Sequence, residues 1–120
     1  MALVLVFLLF GSGLMLKFAY EPTPGKAYES IVYLNNQVPF GRLLRNIHRW
    51  SANGLIFVVF LHCLRVFYTS AFAAPRQFNW IIGLTLFSAV VLSNFTGYLL
   101  PWDQLAYWAI TISTSMLDYI

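Results

Sequence analysis

The chain has 120 residues, of which 60% are hydrophobic and only 9% charged, where a soluble domain would carry roughly 25% charged residues. So few charges cannot cover a soluble surface, and the composition predicts an integral membrane chain of one domain at most. The net charge of +3 does not point to nucleic acid, because the basic residues are scattered rather than gathered into a patch, and the single cysteine excludes an internal disulfide framework.

The first apolar run predicts a spanning helix over about residues 1–20. It lacks a basic start, its first charge being Lys17, so a membrane helix fits better than a cleaved leader. Glu21-Pro22-Thr23-Pro24-Gly25 stops it. A loop from Lys26 to about Arg45 follows, with room for a short interfacial helix near Ala27–Leu34. The second spanning helix is expected over about 44–72, long enough to tilt or protrude. The connection Ala73-Ala74-Pro75-Arg76-Gln77 is so short that the third helix, about 79–100, must be its antiparallel neighbour. Pro101 ends that helix. In the tail, Leu105, Trp108, Ala109, Ile112, Met116 and Leu117 recur at helical spacing, which predicts an amphipathic interfacial helix over about 102–118. Tyrosines and tryptophans gather near the predicted helix ends as an aromatic belt. The fold expected is an all-α membrane protein.

Two histidines, His48 and His62, stand fourteen residues apart on the second helix. Fourteen steps return to within ~40° of the starting direction and climb about 21 Å. Two imidazoles on one face near opposite sides of a membrane suit two redox centres in series, and histidine is a regular haem axial ligand. They lie too far apart to share a zinc ion, and no Cys, Asp or Glu completes such a set. The competing reading is that each is a hydrogen-bonded packing residue, but an ionisable side chain inside a membrane helix is a functional candidate by default. Cys63 points about 100° away from His62 and reads as a small buried hydrophobe.

Arg45 lies three residues before His48, and Arg65 three after His62, each near its histidine's face. A guanidinium matches a haem propionate by forked hydrogen bonds; ordinary snorkelling at helix ends is the alternative. Gly83 and Gly97 repeat the spacing of fourteen on the third helix, as if two flat macrocycles stacked between helices two and three, and Gly13 sits on the first helix near the side of His48 and Gly97. Small-residue helix packing would explain the same glycines. The Pro101 break followed by an aromatic amphipathic segment, Trp102 to Ala109, would leave an apolar cavity with polar lips beside one haem.

These stretches resemble the N-terminal part of cytochrome b of quinol:cytochrome c oxidoreductases, and more closely its plastoquinol-type, four-helix form. The resemblance rests on Tyr20-Glu21-Pro22-Thr23-Pro24, on Leu44-Arg45-Asn46-Ile47-His48-Arg49-Trp50-Ser51-Ala52, on Leu61-His62 with Arg65-Val66-Phe67, on Pro75-Arg76-Gln77-Phe78-Asn79-Trp80, and on Thr96-Gly97-Tyr98-Leu99-Leu100-Pro101-Trp102-Asp103-Gln104 with Tyr107-Trp108-Ala109. It implies two b-type haems, a low-potential one on His48 and a high-potential one on His62. It implies propionate contacts for Arg45 and Arg65, haem packing for Gly13, Gly83 and Gly97, and a quinol pocket lined by Tyr98, Pro101, Trp102, Leu105, Trp108 and Ala109. The activity implied is bifurcated quinol oxidation in a proton-translocating Q-cycle. One electron passes to a Rieske iron–sulfur protein and the other crosses the membrane through the haems. The partners implied are quinol and quinone, the Rieske protein, a c-type cytochrome subunit, the remaining cytochrome b helices, membrane lipid and a second copy of the complex. The setting implied is a bacterial energy-transducing membrane.

The family's fourth helix, with its second pair of histidines, has no counterpart in this sequence, which holds two histidines in all. The expectation is therefore three helices of an incomplete four-helix haem-binding bundle, residues 1–120 being a fragment or one piece of a split protein. The second axial ligand of each haem would come from outside it. The basic residues around the long loop would place that loop in the cytoplasm by the positive-inside rule, whereas the family places it on the opposite side, the placement preferred here. Two other functions fit the histidines alone: a dihaem subunit that links another oxidoreductase to quinone, and a haem-free membrane anchor. The Pro101-Trp102-Asp103-Gln104 run favours the cytochrome b reading.

Overall fold

A computed structural model describes residues 1–120. It is all-helical: α1 (Ala2–Ala19), α2 (Ala27–Asn36), α3 (Gly41–Tyr68), α4 (Gln77–Leu99) and α5 (Gln104–Asp118). α1, α3 and α4 are long and apolar enough to cross a membrane. Their 18, 28 and 23 residues correspond to about 27, 42 and 35 Å, against a hydrocarbon core of about 30 Å. α2 is the short helix expected in the long loop, and α5 is the amphipathic tail helix.

α3 runs from Gly41 to Tyr68, earlier at both ends than the 44–72 expected. At its start Phe40 takes a left-handed conformation (φ 60°) and Gly41 is pressed against α2 so closely that a Cβ would run into the Leu34 carbonyl. At its end Ser70 is left-handed (φ 51°). Its N–H reaches the Phe67 carbonyl and that of Ala71 reaches the Val66 carbonyl, both at 3.1 Å. That is the Schellman pattern, with serine where glycine is usual. α5 begins at Asp103, whose carboxylate accepts the Ala106 N–H at 2.8 Å and so caps the helix.

α1 packs along α3, α2 braces the start of α3, and α4 touches α3 only sparsely. α1 and α4 both pack on α3 and stand apart from each other along most of their length, which leaves space among the three helices. The molecule is a flattened layer with extents of 53 × 40 × 17 Å. Small residues set the α1–α3 approach: Ser12 and Ser51 are buried, Gly13 lies against His48, and Gly54 faces Leu5. No large side chain is fully buried, as expected where lipid rather than water is the solvent for the outer faces.

Candidate functional site

Two cavities of about 520 Å³ each lie among α1, α3 and α4. His48 lines the first with Leu9, Asn53, Gly97 and Tyr98. His62 lines the second with Val59, Trp80 and Gly83. Val6, Leu55, Leu86 and Val90 contribute to both, so the cavities are stacked along α3 with one shared apolar wall. Each thus sets one histidine of α3 and one glycine of α4 on a common wall. A Cβ added to Gly83 or Gly97 would meet only open space. A flat apolar group could therefore lie against the α4 backbone in either cavity.

Gly13 behaves differently. A Cβ there would come within 3.3 Å of His48 Cε1, so this glycine makes room for the imidazole itself. The ring of His48 is half-buried, and its Nδ1 lies 2.9 Å from the Ser12 hydroxyl. His62 is exposed on the cavity wall and makes no hydrogen bond within the chain. No three His, Cys, Asp or Glu side chains converge anywhere, so an ion held wholly by this chain's side chains has no site. One imidazole per apolar cavity is instead the donor set expected for a macrocyclic metal complex that brings its own equatorial ligands.

A third cavity of about 230 Å³ adjoins His48 at the α1 end of the layer. Lys17, Arg45 and Arg49 border it with the apolar parts of their side chains, and none of the three has an acidic partner within the chain. Arg65 is exposed and does not line the His62 cavity; the cation on that wall is Arg76, from the α3–α4 connection. The six residues expected to line a quinol pocket are divided. Tyr98 faces the His48 cavity and donates its hydroxyl to Asn53 Oδ1 at 3.1 Å. Pro101 lines the third cavity, beside Arg45 and Arg49. Trp102 and Leu105 share another opening, of about 500 Å³, with Tyr28, Asp103 and Gln104. Trp108 and Ala109 line none of these.

Several residues here carry no obvious sequence signal. Tyr20 donates its hydroxyl to the Leu100 carbonyl and ties the end of α1 to the end of α4. Burial pushes its phenol above the ordinary value. Ser12, Asn53 and Arg76 owe their places to packing between helices, whereas Asp103, directly before an apolar-periodic run, was a readable capping signal.

A family model described as Cytochrome b/b6/petB matches residues 1–120. The chain belongs to the cytochrome b/b6 family. The cytochrome b6 of Heliomicrobium gestii is 48% identical to it over 101 residues, which is 84% of this chain and 47% of that protein. The cytochrome b6 of Synechococcus elongatus is 41% identical over 111 residues, 92% of this chain and 52% of the relative. A solved chain titled "Hyperthermophilic respiratory Complex III" superposes with a TM-score of 0.94 at 36% identity, over 98% of this chain and 30% of its own length. The chain thus spans about half the length of the curated cytochrome b6 proteins it matches. Family membership and three apolar helices together make it an integral membrane protein.

Proposed function

We propose that residues 1–120 form the N-terminal, haem-binding part of a cytochrome b that carries electrons across the membrane through two b-type haems during quinol oxidation by a bc-type complex. The observation that carries this is the pair of stacked cavities, each joining a histidine of α3 to an open glycine of α4. Haem bound there would supply a one-electron carrier at each level. His48 would hold the iron of the low-potential haem and His62 that of the high-potential haem, each together with a second ligand from outside this chain. Gly97 and Gly83 leave room for the ring faces. The shared wall of Val6, Leu55, Leu86 and Val90 keeps water out and the local dielectric low.

Arg45, with Lys17 and Arg49 beside it, would neutralise propionates near His48. Arg76 is better placed than Arg65 for that task at the other level. Tyr98, Pro101, Trp102, Leu105, Trp108 and Ala109 would contribute to a quinol pocket completed by other parts of the complex, since no one opening of this chain gathers them. A Rieske protein would take one electron from each quinol and pass it to a c-type cytochrome subunit, the remaining cytochrome b helices would close the bundle, and the complex would work as a dimer in a bacterial energy-transducing membrane.

The test is haem content by reduced-minus-oxidised spectra of the chain purified with its native partners. Two b haems per copy are expected, and His62→Ala should remove one and spare the other. Unchanged spectra in that variant would sink the ligand assignment.

A further inference from the structure

Ser12 is the buried hydroxyl of α1, a helix whose other polar side chain is Lys17 in its last turn. It lies 2.6 Å from the Leu8 carbonyl, 3.3 Å from the Leu9 carbonyl and 2.9 Å from His48 Nδ1. A serine hydroxyl has one proton to give and lone pairs to accept with. Its shortest contact is with a carbonyl, which can only accept, so the proton goes to Leu8 in the usual back-bonded manner. The contact with His48 is then satisfied in one way: Nδ1 carries the proton and donates it to the Ser12 oxygen. That tautomer leaves the other ring nitrogen, Nε2, with a free lone pair. Gly13, next in sequence, completes the seat, because a Cβ there would crowd the ring edge at 3.3 Å. His62 has no such partner, although it lines the equivalent cavity.

We propose that Ser12 is a positioning residue for His48: its hydroxyl fixes the Nδ1–H tautomer and the ring's orientation, and presents Nε2 as the metal-binding atom. This rests on the reading of His48 as a haem ligand and goes beyond it in assigning which nitrogen binds, what holds it, and why the two levels differ. A hydrogen bond donated from Nδ1 makes the imidazole more electron-rich, and such a ligand favours ferric over ferrous iron. Ser12 therefore lowers the potential of the haem on His48, and no equivalent residue of this chain does so at His62.

The experiment is potentiometry of both b haems in the assembled complex for wild type, Ser12→Ala, Ser12→Thr and His48→Ala. Ser12→Ala should raise the potential of one haem only. A tenfold loss of ferric preference reads as about 59 mV for one electron. Ser12→Thr keeps the hydroxyl and should leave both potentials near wild type. If Ser12→Ala lowers haem content instead, recovery in Ser12→Thr supports the proposal. Potentials unchanged in Ser12→Ala, or equal disturbance in the alanine and threonine variants, would overturn it. His48→Ala separates the two readings. If that variant keeps both haems, the ligand assignment itself fails; if it loses one while Ser12→Ala leaves that haem's potential unmoved, only the role of Ser12 fails.

Discussion

A spacing of fourteen residues accounts for most of the site. It puts His48 and His62 on one face of α3, and the same spacing puts Gly83 and Gly97 on α4, so that each cavity receives one of each. Each glycine is expected to act on its own level. Gly97→Leu fills the open side of the His48 cavity and should lower haem content from two per copy to one, with the high-potential signal retained. Gly83→Leu should leave the low-potential signal instead. Spectra of the two variants, taken after potentiometric poising, check this; a matching loss in both would mean that the glycines serve helix packing. The period of the glycines and histidines was legible in the sequence because a helix converts spacing directly into direction. Arg76 was not, because its approach to the His62 cavity depends on the turn between α3 and α4 rather than on helical register. Gly13 was legible as a close approach, but not as a seat for the imidazole, which depends on how α1 crosses α3.

At the scale of elements, the number, type and order of helices follow from apolar runs and proline stops, and these signals account for most helix ends. The ends of α3 are the exception. Its start is set by contact with α2 at Leu34, and its end by a left-handed serine, neither of which hydropathy can register. The two ends should respond oppositely to small substitutions. Ser70→Gly relieves a left-handed conformation that costs a side-chain-bearing residue about 1 kcal/mol, so it should stabilise the assembled protein. Gly41→Ala drives a methyl group into the Leu34 backbone and should cost about 1–3 kcal/mol. The temperature at which the haem spectrum collapses on heating should rise for the first variant and fall for the second. A rise for Gly41→Ala would show that α2 is free to move away from α3.

For the molecule as a whole, the count of ligands is decisive. A layer 17 Å thick holds two cavities, and the chain holds two histidines, one at each. Neither histidine can serve the other's level, since about 21 Å of helix separates them. If each cavity holds a haem as proposed, this chain offers it one imidazole, and a second would come from outside residues 1–120. In membranes containing this chain without its partners, any haem retained should be five-coordinate and high-spin. Adding histidine-bearing helices from outside residues 1–120 should convert it to the six-coordinate, low-spin form. Low-temperature electron paramagnetic resonance of the oxidised membranes distinguishes the two, because high-spin and low-spin ferric haems resonate at well-separated fields. A low-spin signal from the chain alone would overturn the need for a different partner chain. It would require two copies to face each other across their cavities, each supplying the ligand the other lacks, and halving the chain's abundance in the membrane would then weaken the low-spin signal more than twofold.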